Sequence, residues 1–375
     1  MRDGLRILHR WLGLLLVVPL LAQGITGAIL TLEPLFRSAT PGPALPASAD
    51  KIVAVASGAA SNDLRATRYV PPTATTPAEV WFAPSSNPRG RAVIVRVNAA
   101  TLTPISPPES QNGVIDWCRR LHHDFLLSEY GGRSIVGWVG VGLVLMSLIG
   151  IPLWWPAKGQ RLAAFTFPIT ARGFRLHRRV HGALGIWTLT LLLVSASTGV
   201  VLGFPRTARD VMGISGEGSP RATGSRASTS APAKTLDAAL DLAAAAEPGL
   251  SPRVLFLPAN GGPMRVILAP AGAEGIASMT TITVDAAGTR VLGIQDPRSM
   301  SGPDRALRQI HDIHFGQGFG VVWRVLTAAA GLALPIFAAT GTAMWLYRRH
   351  LRARSGPVLR EVRRAASPAG EQIHP

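Results

Sequence analysis

Residues 177–204 read HRRVHGALGIWTLTLLLVSASTGVVLGF, a basic cluster running directly into a stretch with no Lys, Arg, Asp or Glu from His181 to Phe204. About 20 consecutive apolar residues suffice to cross a bilayer as a helix, so this stretch predicts a membrane span. Three further runs qualify by the same test: Trp11–Leu32, Ser134–Trp155 and Val325–Tyr347. The first, preceded by Arg2, Arg6 and Arg10, has the charge pattern of a signal peptide. It exceeds the usual h-region of about 7–15 residues, and it is read as a retained helix. A 47 % hydrophobic content, 16 % charged residues and a mean hydropathy of +0.25 fit the same class, being too apolar for a soluble chain of 375 residues.

Orientation follows from short flanks, where Lys and Arg mark the cytoplasmic side. The amino terminus (1–10), the connection 156–180 with Lys158, Arg161, Arg172, Arg175, Arg178 and Arg179, and the tail 348–375 with Arg348, Arg349, Arg352 and Arg354 are all expected inside a bacterial inner membrane. Segments 33–133 and 205–324 are then periplasmic. The formal charge of +17 resides in these flanks and the tail rather than in any nucleic-acid module, so no nucleic-acid partner is expected; the lipid bilayer is. Trp138, Trp154, Trp155, Trp187, Trp323 and Trp345 lie in or beside the spans, several near the ends where aromatic belts form.

Each outer segment reads as a small α+β domain. Helices are expected over Asp50–Leu64 and, after an N-cap at Thr235, over Leu236–Glu247. Strands are expected over Glu79–Ala83 and Arg91–Asn98 in the first, and over Arg253–Leu257, Arg265–Ala269 and Met279–Asp285 in the second. The Gly-, Ser- and Pro-containing run Ser215–Lys234 has linker composition.

The chain also repeats itself. HRWLG at His9–Gly13 matches HGALG at His181–Gly185, and the same offset lays Thr26-Gly27 on Thr198-Gly199. A second offset aligns His123 with His314, Arg133 with Arg324, Gly140 with Gly331, Gly150 with Gly341 and Trp154 with Trp345. The expected architecture is a membrane α-helical protein of two parallel repeats, each helix, outer domain, helix, related by an axis along the membrane normal.

Eight of the nine histidines lie near a helix end. Ionisable groups at membrane depth are costly unless paired or functional, and imidazole is a common ligand of haem iron and other metals. The repeat brings His9 toward His181 and His123 toward His314, two matched pairs suited to metal or haem ligation. A single interfacial His beside Arg and Trp is otherwise often just an anchor. His177, one turn before His181, is an alternative ligand or neighbour, and His122 and His311 are alternatives in the outer pair. Arg133 and Arg324 read equally as partners for haem propionates and as interfacial cations. The glycines, among them Gly13, Gly24, Gly142, Gly199, Gly331 and Gly341, serve either close helix packing or space for a flat macrocycle. Cys118 is the only cysteine, which excludes covalent CxxCH haem attachment, so any haem is b-type. Neither GxGxxG in a strand–turn–helix setting nor a Walker motif occurs, so no NAD, FAD or ATP site is expected, and no hydrolase arrangement appears.

The stretches LHRWLGLLLVVPLLAQGITG, LHHDFLLSEYGGRSIVGW with GIPLWWP, HRRVHGALGIW with STG, and HFGQGFGVVWR with TGTAMWLYRR together resemble the PepSY-associated transmembrane family over nearly the whole chain. That resemblance implies an iron-regulated inner-membrane protein similar to dihaem ferric-siderophore reductases. It implies two periplasmic PepSY-like domains and two b-type haems, one near each face, held by His9 and His181 inside and by His123 (or His122) and His314 (or His311) outside. Electrons from an unidentified donor, a quinol or a cytoplasmic reductase, would pass to a ferric siderophore or another periplasmic acceptor. The alternatives are a haem-free metal or siderophore permease component and a PepSY-domain regulatory scaffold.

Overall fold

The computed structural model describes residues 2–36, 47–86, 92–105, 109–110, 113–156, 159, 164–167, 170–214, 236–258 and 261–365. The linker 215–234, Thr235, Lys158, Arg161 and His374 lie outside the described residues. Four helices are long and apolar enough to cross a membrane, namely Arg2–Leu35, Gly132–Trp154, Gly173–Gly203 and Gly320–Leu351. They belong to helices α1 (Arg2–Phe36), α4 (Gly132–Trp154), α5 (Gly173–Gly203) and α9 (Gly320–Ala365). Large apolar side chains such as Leu15, Val18, Leu145 and Leu332 point outward, as a lipid solvent permits and water does not.

The chain forms two compact units. The first comprises residues up to Ala28, Trp138–Ser197 and Ala329 onward, and is helical. Helix α1 meets α4 where Leu16 fills the space over Gly142, and it meets α9 where Gly24 and Gly331 each oppose the other's carbonyl. A Cβ at either glycine would collide with backbone, so small residues are what allow this close approach. Helix α5 touches α4 at Gly182 and Trp154, and Leu192 of α5 clusters with Ala330 and Leu334 of α9.

The second unit comprises Ile29–Gly137 and Thr198–Ala328. Here the two segments expected as separate α+β domains share one nine-stranded antiparallel sheet among the described residues, in the order β4-β3-β2-β1-β6-β7-β8-β9, with β5 also paired to β3. The strands are β1 (Leu64–Val70), β2 (Ala78–Pro84), β3 (Val93–Asn98), β4 (Thr103–Pro104), β5 (Glu109–Ser110), β6 (Ser251–Phe256), β7 (Met264–Ala269), β8 (Thr280–Val284) and β9 (Val291–Gln295). The join is made by β1 and β6, where Arg68 pairs with Phe256 and Tyr69 with Leu255. Alternate residues Ala78, Val80 and Phe82 of β2, and Met264, Val266 and Leu268 of β7, point to one buried face, as the two-residue period of a strand requires. Helices α2 (Ala49–Ala59) and α7 (Leu236–Ala246) cover that face through Ile52, Ala56, Ala239 and Ala243. The helix expected to reach Leu64 ends at Ala59 instead, because Ser61-Asn62-Asp63 favours a turn, and Leu64 opens β1.

This unit also holds α3 (Val114–Asp124), a 3-10 turn at Ser128–Tyr130, α6 (Pro205–Val211) and α8 (Gly302–His314), together with the first turns of α4 and α9 and the last turns of α1 and α5. Helices α3 and α8, which carry the second set of histidines, are separate short helices rather than extensions of the spans.

Candidate functional site

In the first unit, His9 projects from α1 and His181 from α5, with ring centroids 6.3 Å apart and planes at 81°. The Nδ1 of His181 lies 2.8 Å from the Thr340 hydroxyl. That hydroxyl donates its only hydrogen to the Ile336 carbonyl at 2.7 Å, so toward the imidazole it acts as acceptor. His181 Nδ1 therefore carries the ring proton and Nε2 presents a lone pair, the tautomer a metal-binding imidazole needs. The Nδ1 of His9 is buried without a hydrogen-bond partner. Glycines leave room at both rings: a Cβ at Gly341 would sit 3.7 Å from His181 Cε1 and one at Gly150 3.9 Å from His9 Cε1. His177 instead lies beside Tyr347, with centroids 5.8 Å apart, and His350 is exposed.

In the second unit, α8 is started by Ser301, whose Oγ accepts from the Asp304 amide at 3.2 Å, with Pro303 in the first turn, a position proline suits. At its other end His314 lies 6.2 Å from His122 of α3, centroid to centroid, at 46°. The ring beside His314 is thus that of His122; His123 has Phe315 (6.4 Å) and His122 (6.4 Å) as ring neighbours. Adjacent helical residues point about 100° apart, so only one of the two histidines faces a given partner. Burial, then the Arg119 and Arg133 guanidiniums, hold the His123 imidazole below its ordinary pKa. His314 Nδ1 lies 3.1 Å from the Thr198 hydroxyl of α5, the same threonine tether found at His181. A Cβ at Gly199 would approach His314 Cε1 to 3.0 Å. His311 stacks on Phe315 at 4.1 Å and 14°, with its Nδ1 3.1 Å from the Asp312 carboxylate.

Asp312 is 2 % exposed and accepts the Ile276 and Ala277 amides, each at 2.8 Å. It folds the β7–β8 loop onto α8 at Gly275, whose φ of +79° and contact with the carboxylate leave no place for a Cβ. Arg324 is 5 % exposed and binds Glu274 from the same loop at 2.9 Å, while Arg133 donates two hydrogen bonds to the Leu202 carbonyl at 2.9 and 2.7 Å. Both guanidiniums thus have protein partners, and Arg324 Nε alone remains buried without one.

Metal–imidazole bonds are about 2.0–2.1 Å, so two imidazoles that hold one ion between them have ring centroids about 6 Å apart. The pairs His9–His181 and His122–His314 stand at that separation, and a threonine hydroxyl orients one ring of each pair. The residues therefore fit a b-type haem at each pair. Among the described residues no group of three or more His, Cys, Asp or Glu side chains could hold a metal ion.

No curated protein sequence matches the chain. The PepSY-associated TM region matches it over residues 6–348, spanning all four long helices and both intervening segments, and the chain belongs to that family of membrane proteins.

Proposed function

We propose that the chain is an inner-membrane b-type dihaem electron-transfer protein that passes electrons from a quinol or cytoplasmic reductase to a periplasmic acceptor, in first place a ferric siderophore. The observation that carries this reading is the presence of two imidazole pairs, His9–His181 and His122–His314, at 6.3 and 6.2 Å. Haem bound at each pair would supply reversible one-electron chemistry. His9, His181, His122 and His314 would hold the haems, while Thr340 and Thr198 orient the His181 and His314 rings and Thr340 keeps the proton of His181 at Nδ1. His123 is the alternative to His122.

The basic flanks support a cytoplasmic side for both termini and a periplasmic one for the shared sheet. Each electron delivered reduces one iron(III) to iron(II), and hard oxygen-donor chelates hold the ferrous ion less firmly. Purified from haem-replete cells, the protein should carry two haems b per chain with low-spin spectra, and once reduced it should be reoxidised by a ferric siderophore with iron(II) appearing in a ferrous-specific trap. Absence of haem would sink the reading. Reoxidation by a periplasmic protein and by no ferric chelate would keep electron transfer and remove the ferric-reductase role.

A further inference from the structure

A cleft of 210 Å³ is walled by Leu202 of α5, Arg209 of α6, Ile276 of the β7–β8 loop, and Leu307, Arg308 and His311 of α8. Two of these residues lie one helical turn from groups of the His122–His314 pair. His311 is one helical turn before His314, and Leu202 is one turn after Thr198, the tether of His314.

Two arginines, Arg209 and Arg308, line this cleft. Arg308 is fixed by two hydrogen bonds from Nη1, to the Ile276 carbonyl at 3.2 Å and the Met279 carbonyl at 2.7 Å, and its Nε and Nη2 have no partner among the described residues. The half-buried Arg209 guanidinium has none either. Asp304 and Asp312 act electrostatically on Arg308, but both carboxylates direct their hydrogen bonds elsewhere: Asp312 accepts the Ile276 and Ala277 amides, and Asp304 the Ser301 hydroxyl at 2.6 Å. Two guanidiniums with apolar walls recognise a carboxylate on a compact organic body, because guanidinium forks match carboxylate geometry. A volume of 210 Å³ is below the roughly 300–1,000 Å³ of pockets that enclose a drug-sized ligand, so it suits a small acid or one limb of a larger chelate.

We propose that the Arg209–Arg308 cleft is the docking site for the electron acceptor, and that this acceptor is an anionic, carboxylate-bearing ferric chelate. The proposal rests on the electron-transfer reading above for its role, although binding itself needs no haem.

The test uses gallium(III) citrate, a redox-inert stand-in for ferric citrate, titrated into the full-length protein in detergent at physiological salt, where loose surface attraction is screened. Wild type should bind it saturably. Arg209→Ala and Arg308→Lys should each weaken binding at least tenfold, whereas Arg206→Ala, on the exposed side of the same helix, should not. In reduced protein the same two variants should slow reoxidation by sub-saturating ferric citrate at least tenfold and leave that by a cationic ferric hydroxamate unchanged. Arg209-dependent binding to a protein that carries no haem would uphold the site and remove only the reductase reading. Absence of saturable binding, equal loss in Arg206→Ala, or loss of the outer haem in Arg209→Ala with gallium citrate binding intact would overturn the proposal, the last by making Arg209 a propionate partner.

Discussion

Asp50 and Asp237 each cap the helix that the other opens. The Asp50 carboxylate, in the first turn of α2, accepts the Leu236 and Asp237 amides at the start of α7, at 2.8 and 3.2 Å. The Asp237 carboxylate accepts the Ala49 amide and the Ser48 hydroxyl at the start of α2. Unsatisfied amides at a helix start are thereby bound across 186–189 residues of sequence, and the negative charges sit where the helix dipole favours them. The two helices are locked together on the sheet face that they cover.

Removing either carboxylate should cost about 1 kcal/mol, as loss of an N-cap does. The signature should be crossed. Asp50→Ala should raise hydrogen exchange at the start of α7, and Asp237→Ala at the start of α2, with the double variant less than additive because both caps tie the same two helix starts together. Exchange that rises only in the mutated helix would contradict the reciprocal arrangement.

The outer imidazole pair separates His122 from His123. If His122 faces the shared ligand position with His314, His122→Ala and His314→Ala should each convert or remove one haem, while His123→Ala and His350→Ala leave two. Reduced-minus-oxidised spectra and pyridine haemochrome counts measure this. The opposite result for the neighbouring histidines would return the role to His123.

Thr340 should tune the inner site without contributing a ligand. Thr340→Val removes the acceptor at His181 Nδ1, and loss of such a partner typically weakens metal affinity by about 10–100-fold. The inner haem should become easier to extract and change its reduction potential, with Thr340→Ser restoring both. A packing role alone would leave the potential of the retained haem unmoved.

Acid should loosen the β8–β9 turn before the rest of the sheet. Partial burial acts to raise the Asp285 pKa, but hydrogen bonds from the Thr289 hydroxyl and amide (both 2.7 Å) and the Arg290 amide (3.1 Å) outweigh it and hold the carboxyl below its usual range. A lowered folded-state pKa adds stability that is present above the unfolded value and lost as pH falls through the folded one. Exchange at residues 286–290 should therefore rise on acidification below about pH 4, the unperturbed Asp region, and Asp285→Asn should flatten that dependence.

Topology reporters check the side assignment directly. Fusions near residue 165 or after residue 360 should report cytoplasm, and fusions near residues 75 or 260 periplasm. A cytoplasmic signal at residue 75 would reverse the orientation.

The spans were legible in the sequence because hydropathy and flanking charge are local properties: the runs beginning at Trp11, Ser134, His181 and Val325 lie in the four membrane-length helices, overrunning them by at most one residue. His9 and His181 are marked in the sequence by their equivalent places in the HRWLG and HGALG segments. Helix α7 and the strands β2, β3, β6, β7 and β8 were also foreseen to within a few residues, since their alternation needs no knowledge of partners. Strand β1 was not foreseen, the helix expected over Asp50–Leu64 touching it only at Leu64; its partners are β2, just downstream, and β6, nearly two hundred residues away. Joining the two expected domains into one sheet is a decision of strand pairing, made where edge amides and carbonyls of β1 and β6 satisfy each other. The choice of His122 over His123 is of the same kind. Gapless alignment fixes position along the chain, but rotation about α3 decides which ring meets His314, and a shift of one residue turns the side chain by about 100°.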